Sequence, residues 1–158
     1  MHYLERAMFV VGNQGDGKSS QIRDIFRDVR FHKGGASQIG ESGRLSDWIA
    51  ISNERYLHVR LTSPHEYGDG FEEFTDKVDE KQDERGTKYR WNFLGALQTN
   101  AFRNMPSSEL VVERFVRRYQ PERCRVVLIY IQTAVPFGLK LRLVEYPSTV
   151  RKSMLSSV

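Results

Sequence analysis

The five residues Ala7-Met8-Phe9-Val10-Val11 are all apolar, and they run without a polar break into Gly12-Asn13-Gln14-Gly15-Asp16-Gly17-Lys18-Ser19-Ser20. A strand open to water on one face alternates apolar with polar side chains, whereas a strand buried on both faces does not. The run therefore predicts a buried strand of a parallel sheet. Such a sheet needs helices over its faces, which restricts the chain to an α/β arrangement.

The following residues supply those helices. Ile22, Ile25, Phe26 and Val29 fall at i, i+3, i+4 and i+7 with charged residues between them, which predicts an amphipathic helix stopped before Gly34-Gly35. Residues 36–46 are polar and glycine-bearing, and read as a loop. Trp48-Ile49-Ala50-Ile51 and the alternating run from Tyr56 to Leu61 predict a hairpin closed by Ser52-Asn53-Glu54. After Pro64, Phe71, Phe74 and Val78 mark a charged helix with Asp69 as its cap.

The stretch YRWNFLGALQTNAFRNM, residues 89–105, predicts a further helix with Leu94, Leu97 and Ala101 facing inward, broken by Pro106. Trp91, Phe93 and Phe102 are expected in the core. Ser107 or Ser108 then caps the helix ELVVERFVRRY, which ends before Pro121. Val126 to Ile131 is the most apolar stretch and predicts a central buried strand, with Leu139 to Val144 as its neighbour or an edge. The expected fold class is α/β, a single domain over residues 1–158 with a mixed, mainly parallel sheet flanked by helices and one β-hairpin.

A length of 158 residues suits one domain, and an apolar content of 39% supplies its core. The net charge of +4 is unevenly placed: Leu61 to Arg90 holds nine acids and five bases, Trp91 onward four acids and ten bases. The basic final third could engage a protein or nucleic-acid partner, although most such side chains in any protein are solvated surface. The single cysteine, Cys124, excludes an internal disulfide and predicts a buried thiol. With no signal-peptide pattern and no apolar stretch of about 18 residues, the expectation is a cytoplasmic protein outside the membrane. None of the four histidines stands in an HExxH motif or beside the cysteine, so no structural metal site is indicated.

Gly12 to Ser19 fits G-x-x-x-x-G-K-[ST] at every fixed position. That spacing suits a loop whose backbone N–H groups wrap a phosphate, because Gly12 and Gly17 allow conformations and close approach that a Cβ hinders. Lys18 supplies a point charge to the β and γ phosphates, the Ser19 hydroxyl is a candidate Mg²⁺ ligand, and the helix that follows directs its free N–H groups at the same anion. Gly12, Asn13, Gln14, Gly15, Asp16, Gly17, Lys18, Ser19 and Ser20 are accordingly the candidate nucleotide-binding residues.

With a strand before it and a helix after it, this motif resembles that of the P-loop NTPase superfamily over about the first thirty residues. The resemblance implies a purine nucleotide, ATP or GTP, bound with Mg²⁺. The superfamily also carries an acid after a second hydrophobic strand. Here VVLIYI is followed by Gln132-Thr133. If the strand at 56–61 runs parallel to that at 7–11, Asp47 and Glu66 lie at the edge that carries the loop, and both join Lys18 as candidate catalytic residues. Gln132 and Thr133 are candidates to sense the γ-phosphate there. Arg114, Arg117, Arg118, Arg123 and Arg125 are candidates to contribute charge to a phosphoryl transition state, and an oligomer could supply such an arginine from a neighbouring subunit.

Three functions are consistent with these residues. The first is an NTPase, a hydrolase of ATP, or a phosphotransferase. The second is a nucleotide-dependent switch or binding module with little hydrolysis. The third is nucleic-acid binding through the basic final third, which would be steeply salt dependent.

Overall fold

The computed structural model describes residues 3–31, 48–85, 90–132 and 138–146. Its six strands are β1 (Leu4–Gly12), β2 (Trp48–Ala50), β3 (Arg55–Arg60), β4 (Arg90–Gln98), β5 (Arg123–Gln132) and β6 (Gly138–Tyr146). They form one mixed sheet in the order β2-β3-β4-β1-β5-β6. The inner four strands, β3, β4, β1 and β5, are mutually parallel, and an antiparallel strand closes each edge. The second antiparallel pair, β5 with β6, adds to the one hairpin expected from sequence.

Helices cover both faces, as parallel pairing requires. On one face, Ile22 and Phe26 of α1 (Lys18–Arg27) join Val10, Val59, Leu94 and Ile129 in one apolar cluster. On the other, α3 (Phe71–Arg85) and α4 (Ser108–Tyr119) contribute Phe74, Val78, Val112 and Phe115 against Phe9, Val11 and Phe93. Successive residues of β1 therefore bury on opposite faces, which explains its unbroken apolar run. Phe115 meets Phe9 edge-on at 5.1 Å and lies 4.9 Å from Phe93, packing worth about 0.5–1.5 kcal/mol per aromatic pair beyond simple burial. Cys124 is buried in the same cluster, and burial pushes its thiol up to about 12. No helix among the described residues is long and apolar enough to cross a membrane.

The order of connections places the end of β1 at a reversal. The chain leaves β1 through α1 toward the β3 side, returns through α2 (Pro64–Tyr67) and α3 to β4, and then passes through α4 to β5 on the other flank of β1. The carboxyl end of β1, at Gly12, thus lies where connections diverge.

Several sequence expectations fail for identifiable reasons. The helix expected over 89–105 is strand β4 followed by a loop. Leu94 and Leu97 are both buried, but on opposite sheet faces, so their spacing of three mimicked a helical stripe. Ala101 is exposed, and Phe102, expected in the core, keeps 48% of its surface in solvent. Helix α1 ends at Arg27, leaving Ile25 and Val29 exposed, with Val29 opening a 3-10 turn at Val29–Phe31. Asp69 does not cap α3: the residue before that helix is Gly70, whose carbonyl accepts the Phe74 N–H, and the Asp69 carboxylate instead takes Lys77 Nζ at 2.8 Å. The segment at 34–46, including the Gly34-Gly35 stop, lies outside the described residues.

Gly95 tests the packing of β4. A Cβ there would sit 2.7 Å from Cε1 of Phe93, a ring already enclosed by Phe9, Phe74, Phe115 and Trp91. Gly95→Ala should destabilise the fold by about 1–3 kcal/mol through overpacking. Equilibrium denaturant unfolding measures this, and a variant as stable as the native protein would contradict the packing described.

Candidate functional site

The loop after β1 is built from short-range contacts. Gly15 and Gly17 have φ of +87° and +81°, a left-handed region that side chains with a Cβ enter at a cost of about 1–2 kcal/mol. Gly12 has no room for a Cβ, which would lie 3.0 Å from the Ile129 carbonyl and 3.2 Å from Asp16 Oδ2. The Asp16 carboxylate accepts the Asn13 N–H at 2.7 Å, and the Asp16 N–H donates to the Asn13 carbonyl at 3.3 Å, so the turn is clasped from both sides. Asn13, Gln14 and Ser20 are exposed at its rim.

Helix α1 begins inside this loop. Its cap, Gly17, offers no side chain, its first turn holds no acid, and its first internal bond runs from the Gln21 N–H to the Gly17 carbonyl. By helix geometry the N–H groups of Gly17, Lys18, Ser19 and Ser20 have no partner within the helix. Lys18 is only 5% exposed, and its Nζ donates to the Asn13 carbonyl at 2.7 Å. Burial lowers its pKa, while the charges of Glu66 and Asp16 act in the opposite direction. The Ser19 hydroxyl donates to the Leu61 carbonyl at 2.9 Å, tying α1 to the end of β3. Its oxygen lone pairs remain for a cation.

Glu66 stands on α2, immediately beyond β3, exposed and close enough to attract the Lys18 ammonium. β3 and β1 run parallel through β4, which is the condition under which Glu66 was expected at this edge, and that course brings Glu66 to the loop. Asp47 and Thr133 lie outside the described residues. β5 extends past β1: Leu128 is the partner of Val11, while Gln132 pairs with Gly138 of β6. At a rise of ~3.3 Å per residue, the Gln132 backbone is about 10 Å beyond the level of Gly12.

A network not anticipated from sequence holds α2. His65 is fully buried, with Nε2 2.8 Å from the Pro106 carbonyl and Nδ1 3.0 Å from Ser63 Oγ. A carbonyl can only accept, so Nε2 carries the proton and Nδ1 accepts from the Ser63 hydroxyl. Ser63 Oγ in turn accepts the N–H groups of Gln98 at 3.2 Å and His65 at 3.3 Å. Burial lowers the His65 pKa against the Pro106 hydrogen bond, and the nearby Lys18 lowers it further, which keeps the ring neutral. Gln98 is the register partner of Gly12, so one serine joins the ends of β3 and β4 beside the loop.

The arginines of the final third go elsewhere. Arg117 and Arg118 occupy the last turn of α4, and Arg123, at the start of β5, is the register partner of Arg6 near the start of β1. This edge of the sheet is opposite the glycine loop. Arg118 donates to Asp79 at 2.7 Å, Arg125 to Glu145 at 2.9 Å, and Arg117 pairs with Glu113, while Arg114 lies over the Phe71 ring. Arg117, Arg118 and Arg123 therefore cannot reach a ligand in the loop of their own chain.

Two further features border β3. An open pocket of about 480 Å³ is lined by Arg23, His58, Arg60, Lys77, Glu80 and Lys81, among others. His58 is 3% exposed and stacked on Trp48 at 4.9 Å, with Nδ1 lacking a hydrogen-bond partner among the described residues. Among the described residues no group of three or more His, Cys, Asp or Glu could hold a metal ion.

Removing the Ser63 hydroxyl leaves the Gln98 N–H and His65 Nδ1 unsatisfied. Ser63→Ala should cost about 1–3 kcal/mol in denaturant unfolding, and an unchanged midpoint would contradict the network. For His58, burial, reinforced by Arg60 and Lys81, lowers the pKa to about 4. The unfolded chain takes up this proton below its ordinary value of 6.5 while the native state does not. Stability from His58 is therefore complete above pH ~6.5 and declines as pH falls toward ~4, by up to about 3 kcal/mol in all. His58→Phe keeps a ring in place and should flatten that part of the pH–stability curve. An equally steep curve in the variant would contradict the assignment. Comparison of the chain with known protein families, curated proteins and solved structures finds no match.

Proposed function

We propose that residues 12–20 bind the phosphate chain of a purine nucleotide, ATP or GTP, with Mg²⁺, in a P-loop-type domain that hydrolyses the nucleotide or transfers its γ-phosphoryl group. The observation that carries this reading is Lys18. Its ammonium is buried at the end of β1 and keeps one hydrogen bond, to the Asn13 carbonyl, which leaves two donors for phosphate oxygens. The uncapped first turn of α1 adds N–H donors on the same anion, and the position at the reversal of the sheet is where open α/β sheets bind ligands.

The residues present fit magnesium. This ion takes one or two protein oxygens and completes its shell with water and phosphate, so it needs no cluster of three ligands. Ser19 Oγ would hold it, and it would neutralise charge on the phosphates. Glu66, beside Lys18, is the acid placed to orient a water or an acceptor hydroxyl. A protein with this chemistry works in the cytoplasm, where its nucleotide is found.

One observation favours a second reading, a nucleotide-dependent switch with little turnover. Neither inner strand flanking β1 is followed by an acid: β4 ends at Gln98 and is followed by Thr99-Asn100, and β5 ends at Gln132 and is followed by Thr133 in the sequence. Among the described residues, Glu66 is then the carboxylate of a neighbouring connection whose charge acts on Lys18. Such a protein would signal nucleotide occupancy to a protein or nucleic-acid partner.

Calorimetric titration with Mg-ATP and Mg-GTP decides whether the loop binds. Lys18→Ala loses a charge-assisted contact worth ~1.5–3 kcal/mol and should bind at least tenfold more weakly. Equal affinity in both proteins would overturn the reading. Phosphate release then separates the two forms: turnover that Glu66→Gln abolishes without loss of binding supports the enzyme, and tight binding without release supports the switch.

A further inference from the structure

Two non-glycine residues among those described have positive φ, Arg103 at 53° and Gln120 at 46°. Gln120 is the left-handed cap of α4 and is explained by that role. Arg103 caps no helix. It stands in a two-residue turn between Phe102 and Met105, which exchange both backbone hydrogen bonds at 3.0 and 3.1 Å. The turn is anchored on all sides: Met105 is buried in the core, the Pro106 carbonyl takes His65 Nε2, and Asn104 Nδ2 donates to the Gly68 carbonyl at 3.4 Å. A rigid turn thus holds an arginine where glycine would sit without strain.

The side chains of this turn point outward. The Arg103 guanidinium lies 5.2 Å from the centre of the half-exposed Phe102 ring, and its stem packs on Gly68, where a Cβ would come within 3.1 Å of Nη1. No carboxylate among the described residues pairs with Arg103, whereas Arg117, Arg118 and Arg125 all have acidic partners. The charge of Glu66, two residues before Gly68, acts on Lys18. The turn follows β4, whose last residue Gln98 is the register partner of Gly12, so it lies on the same edge of the sheet as the glycine loop.

We infer that Phe102 and Arg103 form a seat for a second nucleotide unit, its base stacked on the ring and its phosphate paired with the guanidinium. An exposed aromatic face accepts any base, and a planar guanidinium matches phosphate oxygens in pairs. The unit is either a free nucleoside monophosphate or a residue of a single strand, which share this chemistry. A role for the seat as the phosphoryl acceptor site rests on the function proposed above, but binding at the seat does not.

The test uses the full chain, with titration calorimetry for AMP and fluorescence anisotropy for a fluorescein-labelled single-stranded oligothymidylate. Arg103→Gly relieves the backbone and should melt at the native temperature or higher, yet bind the favoured probe at least tenfold more weakly. Phe102→Ala should weaken it by about tenfold, the size of a lost stacking contact. Lys18→Ala should keep the Arg103-dependent binding, so a failure of the phosphate-loop reading remains separable from a failure here. Binding of AMP alone identifies a free nucleotide as the occupant, and binding of the strand identifies a polynucleotide. The seat is overturned if the native protein binds neither probe, or if both turn variants bind as the native protein does. It is equally overturned if binding is lost in Lys18→Ala and retained in Arg103→Gly.

Discussion

Burial of β1 on both faces, with a parallel partner on each side, is the constraint from which the rest follows. Both flanks of β1 are occupied by β4 and β5, and both faces by helices, so that from Ala7 to Gly12 every residue but the partly buried Met8 is buried. The chain can leave only at the carboxyl end. It must then reverse at once to lay Ile22 and Phe26 of α1 back against Val10. A reversal that short requires left-handed backbone, which Gly15 and Gly17 adopt without strain. The same tight exit leaves the first turn of α1 uncapped and draws Lys18 under the loop.

A buried ammonium is costly unless something compensates it, and the compensation here comes from three groups on two segments. The Asn13 carbonyl is within the loop, the Asp16 carboxylate clasps it, and Glu66 arrives from α2. The last of these depends on the Ser63 hydroxyl, which holds the ends of β3 and β4 together and orients His65 against Pro106. Packing in the sheet thereby sets the electrostatics of its edge.

What could be read in the sequence was what depends on neighbours in the chain. The glycine loop, the strand before it and the helix after it are local patterns, as is the alternation of β6, and each appears where expected. The hairpin at 48–60 was legible for the same reason. β4 was not legible, because Asn92 and Gly95 interrupt its apolar run and Leu94 and Leu97, buried on opposite faces, stand at a helical spacing. Losing β4 meant losing the loop after it, so Phe102 was assigned to the core and Arg103 went unremarked. His65 and Ser63 were illegible for a different reason. Their partners Gln98 and Pro106 are about 35 to 41 residues away in the chain, and no spacing in the sequence announces such a contact. Of the candidate acids, only Glu66 lies within the described residues.

The distribution of charge between the two ends of the sheet separates structural from available cations. Away from the carboxyl edge, three arginines of the basic final third are held by acids: Arg117 by Glu113, Arg125 by Glu145, and Arg118 by the acidic helix α3. Net charge counted along the sequence is therefore a poor guide to where this protein would attract an anion. At the carboxyl ends, Lys18 is buried with one backbone acceptor and the charges of Glu66 and Asp16 near it, and Arg103 is held at positive φ on a half-exposed ring with no carboxylate partner among the described residues. The function proposed above accordingly puts the anion at the carboxyl edge, where the sheet reverses.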